Sequence, residues 1–215
     1  MKHSRERGMK HSKGNGLIIG LGHIKRMGKD TVARFMNQEF LDRGYSSQIV
    51  SFAQPIYDIG RMMYGHIGFR TKEEYDGDFA ADKELPLPNG LSPRQILLGL
   101  GEKMREVDQL IWVQYALSKA KESHFVLIPD VRHPNECEAI LDAGGYLVKV
   151  DRPIAVVMQA NDIDKKLWDY DGWDTTIANR GNLDKLKEKS VALASKLMLE
   201  TVFRDKTHDT AQGGA

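Results

Sequence analysis

One stretch restricts the fold more than any other: Leu17-Ile18-Ile19-Gly20-Leu21-Gly22-His23-Ile24-Lys25-Arg26-Met27-Gly28-Lys29-Asp30-Thr31. An apolar run of strand length enters a basic turn containing glycine, and Val32, Phe35, Met36 and Phe40 then recur at helical spacing. This is the layout of a phosphate-binding loop. Such a loop needs backbone N–H groups aimed at an anion, a helix N-terminus with its partial positive charge, and a lysine long enough to reach terminal phosphates. Gly28-Lys29, at the start of the helix, answers that need. Against the pattern G-x-x-x-x-G-K-[ST], His23 stands where the first glycine is expected and Asp30 follows the lysine, with the hydroxyl one place later as Thr31.

The chain's 215 residues suit one α/β domain with an inserted lid and suffice for a sizeable core. With 31 basic and 30 acidic residues the net charge is only +1, which argues against a protein that grips duplex DNA by its phosphates and for a small, locally anionic ligand. A lone cysteine, Cys137, excludes an internal disulfide. No apolar run has transmembrane or signal-peptide character, so a soluble, cytoplasmic protein is expected.

Apolar runs alternate with helical patterns, which predicts a parallel sheet covered on both faces, with strands near 16–22, 47–52, 125–130, 146–151 and 175–178. Ser92-Pro93-Arg94-Gln95 reads as a capping box that opens a helix with the apolar face Ile96, Leu97, Leu100, Met104 and Val107. His133-Pro134-Asn135-Glu136 opens another, closed at Ala143-Gly144-Gly145. A last helix is expected from about Asn182, with Leu183, Leu186, Leu193 and Leu197 facing inward.

The polar region 65–90 interrupts this rhythm. A structureless run of that length inside a domain suggests a segment that covers substrate. Residues 1–15 form a basic arm expected to be disordered, and 204–215 a flexible tail, leaving 16–203 as the folded domain with a lid-like stretch at 153–174. Met62, Met63 and Met104 are expected to pack, Trp112 to lie in the core, and Cys137 to be half-buried on its helix.

Phe125-Val126-Leu127-Ile128-Pro129-Asp130-Val131-Arg132 marks a second chemical site. Four apolar residues leading to an aspartate describe a buried strand whose carboxyl end brings Asp130 beside the phosphate loop, where open α/β sheets bind ligands. Asp130 suits orientation of Mg²⁺ or of an attacking group, and Arg132 suits neutralisation of phosphate charge.

Five ordered blocks resemble the bacteriophage-type deoxynucleoside monophosphate kinases. They are residues 23–31, Ser51-Phe52-Ala53-Gln54-Pro55, Leu91-Ser92-Pro93-Arg94-Gln95-Ile96-Leu97 with Gly99 to Glu102, Asp130-Val131-Arg132-His133-Pro134-Asn135-Glu136, and Ile177-Ala178-Asn179-Arg180-Gly181-Asn182-Leu183. The resemblance implies a three-layer P-loop kinase fold: a five-stranded parallel sheet flanked by helices, with a nucleotide-covering insert and a lid. It implies transfer of the γ-phosphoryl of ATP to the 5′-phosphate of a deoxynucleotide, with Mg²⁺. In that family Lys-Asp-Thr after the loop glycine is a regular form, whereas His23 and the segment 168–174 depart from its pattern.

Transferred residue by residue, the resemblance points to Lys25, Met27, Gly28, Lys29, Asp30 and Thr31 around the ATP phosphates, with Arg152 and Asn179 near its base or the lid. On physical grounds Arg26 and Arg132 would bridge donor and acceptor, and Asp30 or Thr31 with Asp130 would hold Mg²⁺. Arg61 in the helix after Phe52, Lys83 in the polar insert and Arg94 at a helix start are chosen for the acceptor nucleotide as cations in a loop or exposed helix, and of the three Arg94 lies in a matched block. A homodimer is left open, and no stable nucleic-acid partner is expected beyond what the basic arm leaves open.

The rivals are a P-loop kinase for another acceptor, namely dephospho-coenzyme A, a phosphorylated isoprenoid precursor or a hydroxymethylated pyrimidine in DNA, and a nucleotide-binding protein without turnover. His66, His124, His133 and Cys137 show no zinc spacing.

Overall fold

The computed structural model describes residues 16–24, 27–119, 123–153 and 166–210, with the side chains of 202–210 excepted. The basic arm, Lys25 and Arg26, and most of the lid-like stretch lie outside them. The chain forms two compact units: residues to Val50 together with those from Lys119 onward, and Ser51–Ser118.

The first unit is built on a five-stranded, wholly parallel sheet: β1 (Leu17–Gly22), β2 (Ser47–Ile49), β3 (Phe125–Val131), β4 (Tyr146–Asp151) and β5 (Thr175–Ala178) in the order β2-β3-β1-β4-β5. Every residue of β1 is buried, as expected of the middle strand of a sheet covered on both faces. Helix α1 (Lys29–Asp42) and the last helix, α7 (Leu183–Thr210), share one side. There Val32, Ala33, Met36 and Phe40 form one core with Leu17, Ile19, Leu21, Leu186, Ala194 and Leu197. Phe40 stacks on Phe125 with ring centroids 3.9 Å apart. Burying such a ring contributes about 2–3 kcal/mol, so this cluster holds the helix that carries Lys29. On the other face lies α6 (Pro134–Asp142), whose Ile140 is packed so close to Gly20 that a Cβ there would meet its Cδ1 at 2.8 Å.

All five expected strands are present, β2 ending earlier than the sequence suggests. It is a short edge strand, although Val50 N still donates to Leu127 O at 2.9 Å. β3 carries a bulge: Gly20 pairs with Ile128 but Gly22 pairs with Val131, so β3 has one residue more than β1 over this interval. Pro129, which has no N–H, is tolerated in a central strand for this reason. The extra residue falls next to Asp130.

The second unit consists of α2 (Gln54–Tyr64), α3 (Lys72–Asp76), α4 (Pro93–Val107) and α5 (Ile111–Lys119, of which Lys119 already belongs to the first unit) with short 3-10 turns at 65–67 and 81–84. Region 65–90 is therefore not structureless. Thr71 and Glu74 form a capping box for α3, and Phe69 and Tyr75 join Tyr57 and Ile96 in a core of their own. The capping box at Ser92 is present as expected. Trp112 is buried, its indole Nε1 donating to Gly101 O at 3.2 Å.

Four packing expectations are corrected. Met62 and Met63 are 74 % and 55 % exposed, because α2 buries Pro55, Ile56, Tyr57 and Gly60 instead. Val107 is 83 % exposed at the last position of α4, beyond the stretch that packs. Leu183 is exposed as the first residue of α7, where Asn182 caps the helix by accepting from Lys185 N at 3.1 Å. Cys137 is fully buried rather than half-buried. Helix α7 also runs on to Thr210, past the boundary expected at 203.

Candidate functional site

The loop after β1 is shaped by two left-handed residues. Gly28, the N-cap of α1, has φ 94°, and His23 has φ 100°. Glycine reaches that region without cost, whereas for histidine the conformation is strained. As a glycine, Gly28 offers no side chain to cap the first amides of α1, and the helix dipole adds positive potential there.

Lys29 follows at once. It is buried, and its Nζ donates to the carbonyls of His23 at 3.1 Å and Ile24 at 2.6 Å. The ammonium is thus folded back into the loop that the sequence assigns to phosphate. Thr31 is half-buried and Asp30 exposed in the same turn. Met27 is fully buried in the core, which leaves only its backbone for a ligand.

The loop is braced from β5. Asn179 Nδ2 donates to Met27 O at 3.0 Å, and Asn179 N donates to Asp151 O at 2.6 Å. Asn179 is buried, and a Cβ on Gly28 would meet its Nδ2 at 2.8 Å. Its side chain is a strut for the loop. Gly22 is equally confined, since a Cβ there would come within 2.3 Å of the Trp173 ring.

Asp130 is half-buried beside the β3 bulge, and Arg132, one residue past the strand, is exposed. Their turn is held by Glu136, which is buried and accepts from Arg132 N at 2.7 Å and His133 N at 3.0 Å. Both residues therefore stand at the carboxyl end of the strand that pairs with β1.

A cleft of about 430 Å³ is lined by His23, Ile24, Lys149, Asp151, Arg152, Pro153, Trp168 and Arg180. Asp151 Oδ1 lies 3.9 Å from His23 Nδ1, and Asp151 Oδ2 lies 3.6 Å from Arg180 Nη2. The His23 imidazole is buried and its Nδ1 has no hydrogen-bond partner. Burial, with Lys149 and Lys29 nearby, pushes its pKa down to about 4 against the pull of Asp151 and the Val150 carbonyl, so the ring is neutral at pH 7.

Arg61, Lys83 and Arg94 belong to the second unit, and each faces a carboxylate of the 65–90 region. Arg61 pairs with Glu74 at 3.3 Å, Lys83 with Asp76 at 2.8 Å, and Arg94 with Glu84. Lys83 is the most enclosed, its ammonium 5.5 Å and 5.8 Å from the ring centres of Tyr57 and Tyr75.

No protein-family model matches the chain. A protein of Acanthamoeba polyphaga mimivirus, provisionally described as a deoxynucleotide monophosphate kinase, is 25% identical over 195 residues, which cover 82% of this chain and 95% of that one. Among solved structures, the APS kinase of Mycobacterium tuberculosis with AMPPNP and APS is 15% identical, with a TM-score of 0.47 over 84% of this chain and 98% of that one. A gluconokinase of Sinorhizobium meliloti 1021 is 13% identical, with a TM-score of 0.47 over 90% of this chain and 99% of its own. The α/β class stands on the chain's own strand order and on the loop after β1.

Sequence reasoning missed the buried Glu136, the contact of Trp173 with Gly22, and the cleft residues Lys149, Asp151, Trp168 and Arg180. For Glu136 a signal existed, a glutamate three residues after a helix cap. The cleft residues come from separate strands and turns, and only the sheet order brings them together.

Proposed function

We propose that the chain is an ATP-dependent phosphotransferase and, more narrowly, a deoxynucleoside monophosphate kinase. The observation that carries the first half is Lys29: a buried lysine at the N-terminus of α1, held by loop carbonyls directly after the middle strand of a parallel sheet. The five ordered sequence blocks and the viral relative support the second half.

In this reading an oxygen of the acceptor's 5′-phosphate attacks the γ-phosphorus of ATP, the bond to the β–γ bridging oxygen breaks, and ADP leaves with a deoxynucleoside diphosphate as product. Little covalent chemistry falls to the protein, which must align two anions and offset their repulsion. Lys29 exchanges its two carbonyl contacts for phosphate oxygens, and the amides of Gly28 to Thr31 hold the donor. Lys25, Arg26 and Arg132 add positive charge around the transferred group, with Arg152 at the donor side. Arg61, Lys83 and Arg94 bind the acceptor, whose phosphate competes with Glu74, Asp76 and Glu84 for them.

Mg²⁺ fits the donors present. The candidates Asp30, Thr31 and Asp130 are hard oxygen ligands, and no group of three or more His, Cys, Asp or Glu side chains among the described residues forms an all-protein cage. One or two carboxylates completed by phosphate oxygens is the usual Mg²⁺ arrangement. When bound, the ion supplies charge neutralisation at the β- and γ-phosphates.

The test is ADP formation from Mg-ATP with each deoxynucleoside monophosphate, its ribo counterpart, modified pyrimidine monophosphates and a DNA oligonucleotide. Turnover with one or more free deoxynucleotides supports the reading. Turnover only with DNA moves the function to polynucleotide modification, and none with any acceptor refutes nucleotide phosphorylation.

A further inference from the structure

The phosphate loop is bent by a left-handed residue at each end, and one short stretch of chain reaches both. His23 at the entry has φ 100° and Gly28 at the exit φ 94°. A histidine keeps such a conformation only where its surroundings impose it. At the exit, Asn179 braces the loop through its bond to Met27 O. At the entry stands Gly22, the last residue of β1 and the immediate neighbour of His23. A glycine within a strand gives up side-chain packing and marks a close approach by another group. Here that group is the Trp173 indole, since a Cβ on Gly22 would stand 2.8 Å from its Cζ3.

Trp173 is itself held on several sides. Its Nε1 donates to Tyr170 O at 2.9 Å, and the Tyr170 ring meets it edge to face with centroids 5.3 Å apart. Tyr170 in turn shares a side-chain hydrogen bond with Cys137, which is buried on α6. The next residue, Asp174, donates its N–H to Leu147 O at 3.0 Å and accepts from Leu147 N at its Oδ2 at 2.7 Å. The indole is only half-buried, so it does not fill the core as Trp112 does; the edge of its ring closes on one backbone position. Asn179 follows on the same run of chain, just past β5.

We propose that Trp173 is a positioning residue for the donor phosphates. Seated on Gly22, it holds His23 in its left-handed conformation and so fixes the two carbonyls, of His23 and Ile24, that place the Lys29 ammonium. The assignment rests on the kinase reading above and adds to it a residue that acts through the backbone of Gly22 and His23.

The experiment measures the affinity of the full chain for Mg-ATP and for inorganic triphosphate by calorimetry, well below the denaturation midpoint of each variant, together with KM for Mg-ATP and for the acceptor. Trp173→Ala should weaken both ligands by the same factor, roughly 10-fold, and raise KM for Mg-ATP in step while leaving KM for the acceptor unchanged. Trp173→Phe, which keeps a ring over Gly22, should recover most of the affinity. Gly22→Ala, which displaces the indole, should weaken both ligands in the native chain and add little once Trp173 is already alanine. Native affinity in a folded Trp173→Ala protein, or additive effects of the two substitutions, would overturn the proposal, because a ring that serves packing alone lowers the midpoint without moving triphosphate. If Trp173→Ala does not fold, Gly22→Ala decides, and native affinity there overturns the proposal equally. A native chain that binds neither ligand refutes the kinase reading, whereas a native chain that binds both, with unchanged variants, removes this assignment alone.

Discussion

Asn179, at the end of β5, donates its side-chain amide to the carbonyl of Met27 at 3.0 Å and so fixes the phosphate loop from the far edge of the sheet. Asn179→Ala leaves a buried carbonyl unpaired, at a cost of about 1–3 kcal/mol. Gly28→Ala adds strain of roughly 1–2 kcal/mol at φ 94° and pushes Asn179 away. Both variants should have lower denaturation midpoints and weaker ATP binding. Unchanged midpoint and affinity in both would remove Asn179 from the loop's support.

His23 should give the protein an acid-sensitive stability. Its folded pKa, about 4, is below the unfolded 6.5, so the unfolded chain takes up its proton first. The stability that depends on the neutral ring is complete above pH 6.5 and is lost as pH falls toward 4. At about 1.4 kcal/mol per unit, the effect is at most on the order of 3 kcal/mol. Denaturant titrations should show His23→Gly with a flatter profile across that window, and parallel profiles would contradict the assignment.

Glu136 is expected to control the geometry of Asp130 and Arg132. Its carboxylate satisfies two backbone N–H groups at once. Glu136→Ala should lower stability by about 1–3 kcal/mol, and Glu136→Gln, which keeps an acceptor oxygen, by clearly less. Equal losses in the two variants would mean that packing, not the hydrogen bonds, is what matters.

Cys137 should report unfolding. It is fully buried, and burial chiefly, aided by Glu136, pushes its thiol up to about 12. As the chain's single cysteine, it should react with a thiol reagent only when the structure opens, and faster as denaturant is added. Rapid labelling under native conditions would contradict the burial.

The sheet was readable in the sequence because central strands buried on both faces are continuous apolar runs, as in Leu17 to Leu21 and Phe125 to Ile128. Helix starts were readable where chemistry is local, as at Ser92 with Gln95. Packing of exposed-helix methionines was not, since Met62 and Met63 are as apolar as core residues and only the position of Gly60 against Phe69 shows which face of α2 is buried. At the site, Lys29 and Gly28 were legible as a contiguous motif. The approach of His23 to Asp151 depends on β1 lying beside β4, a neighbour relation between strands that local spacing does not encode.

The measurement that bears most directly on the central claim is turnover of Lys29→Ala with Mg-ATP and the best acceptor, alongside circular dichroism and a denaturation midpoint. Removal of the buried ammonium at the start of α1 predicts a fall in kcat of two or more orders of magnitude, about 3 kcal/mol of transition-state stabilisation, with the fold retained. Near-normal turnover by a folded Lys29→Ala protein would contradict the assignment of this loop to phosphoryl transfer.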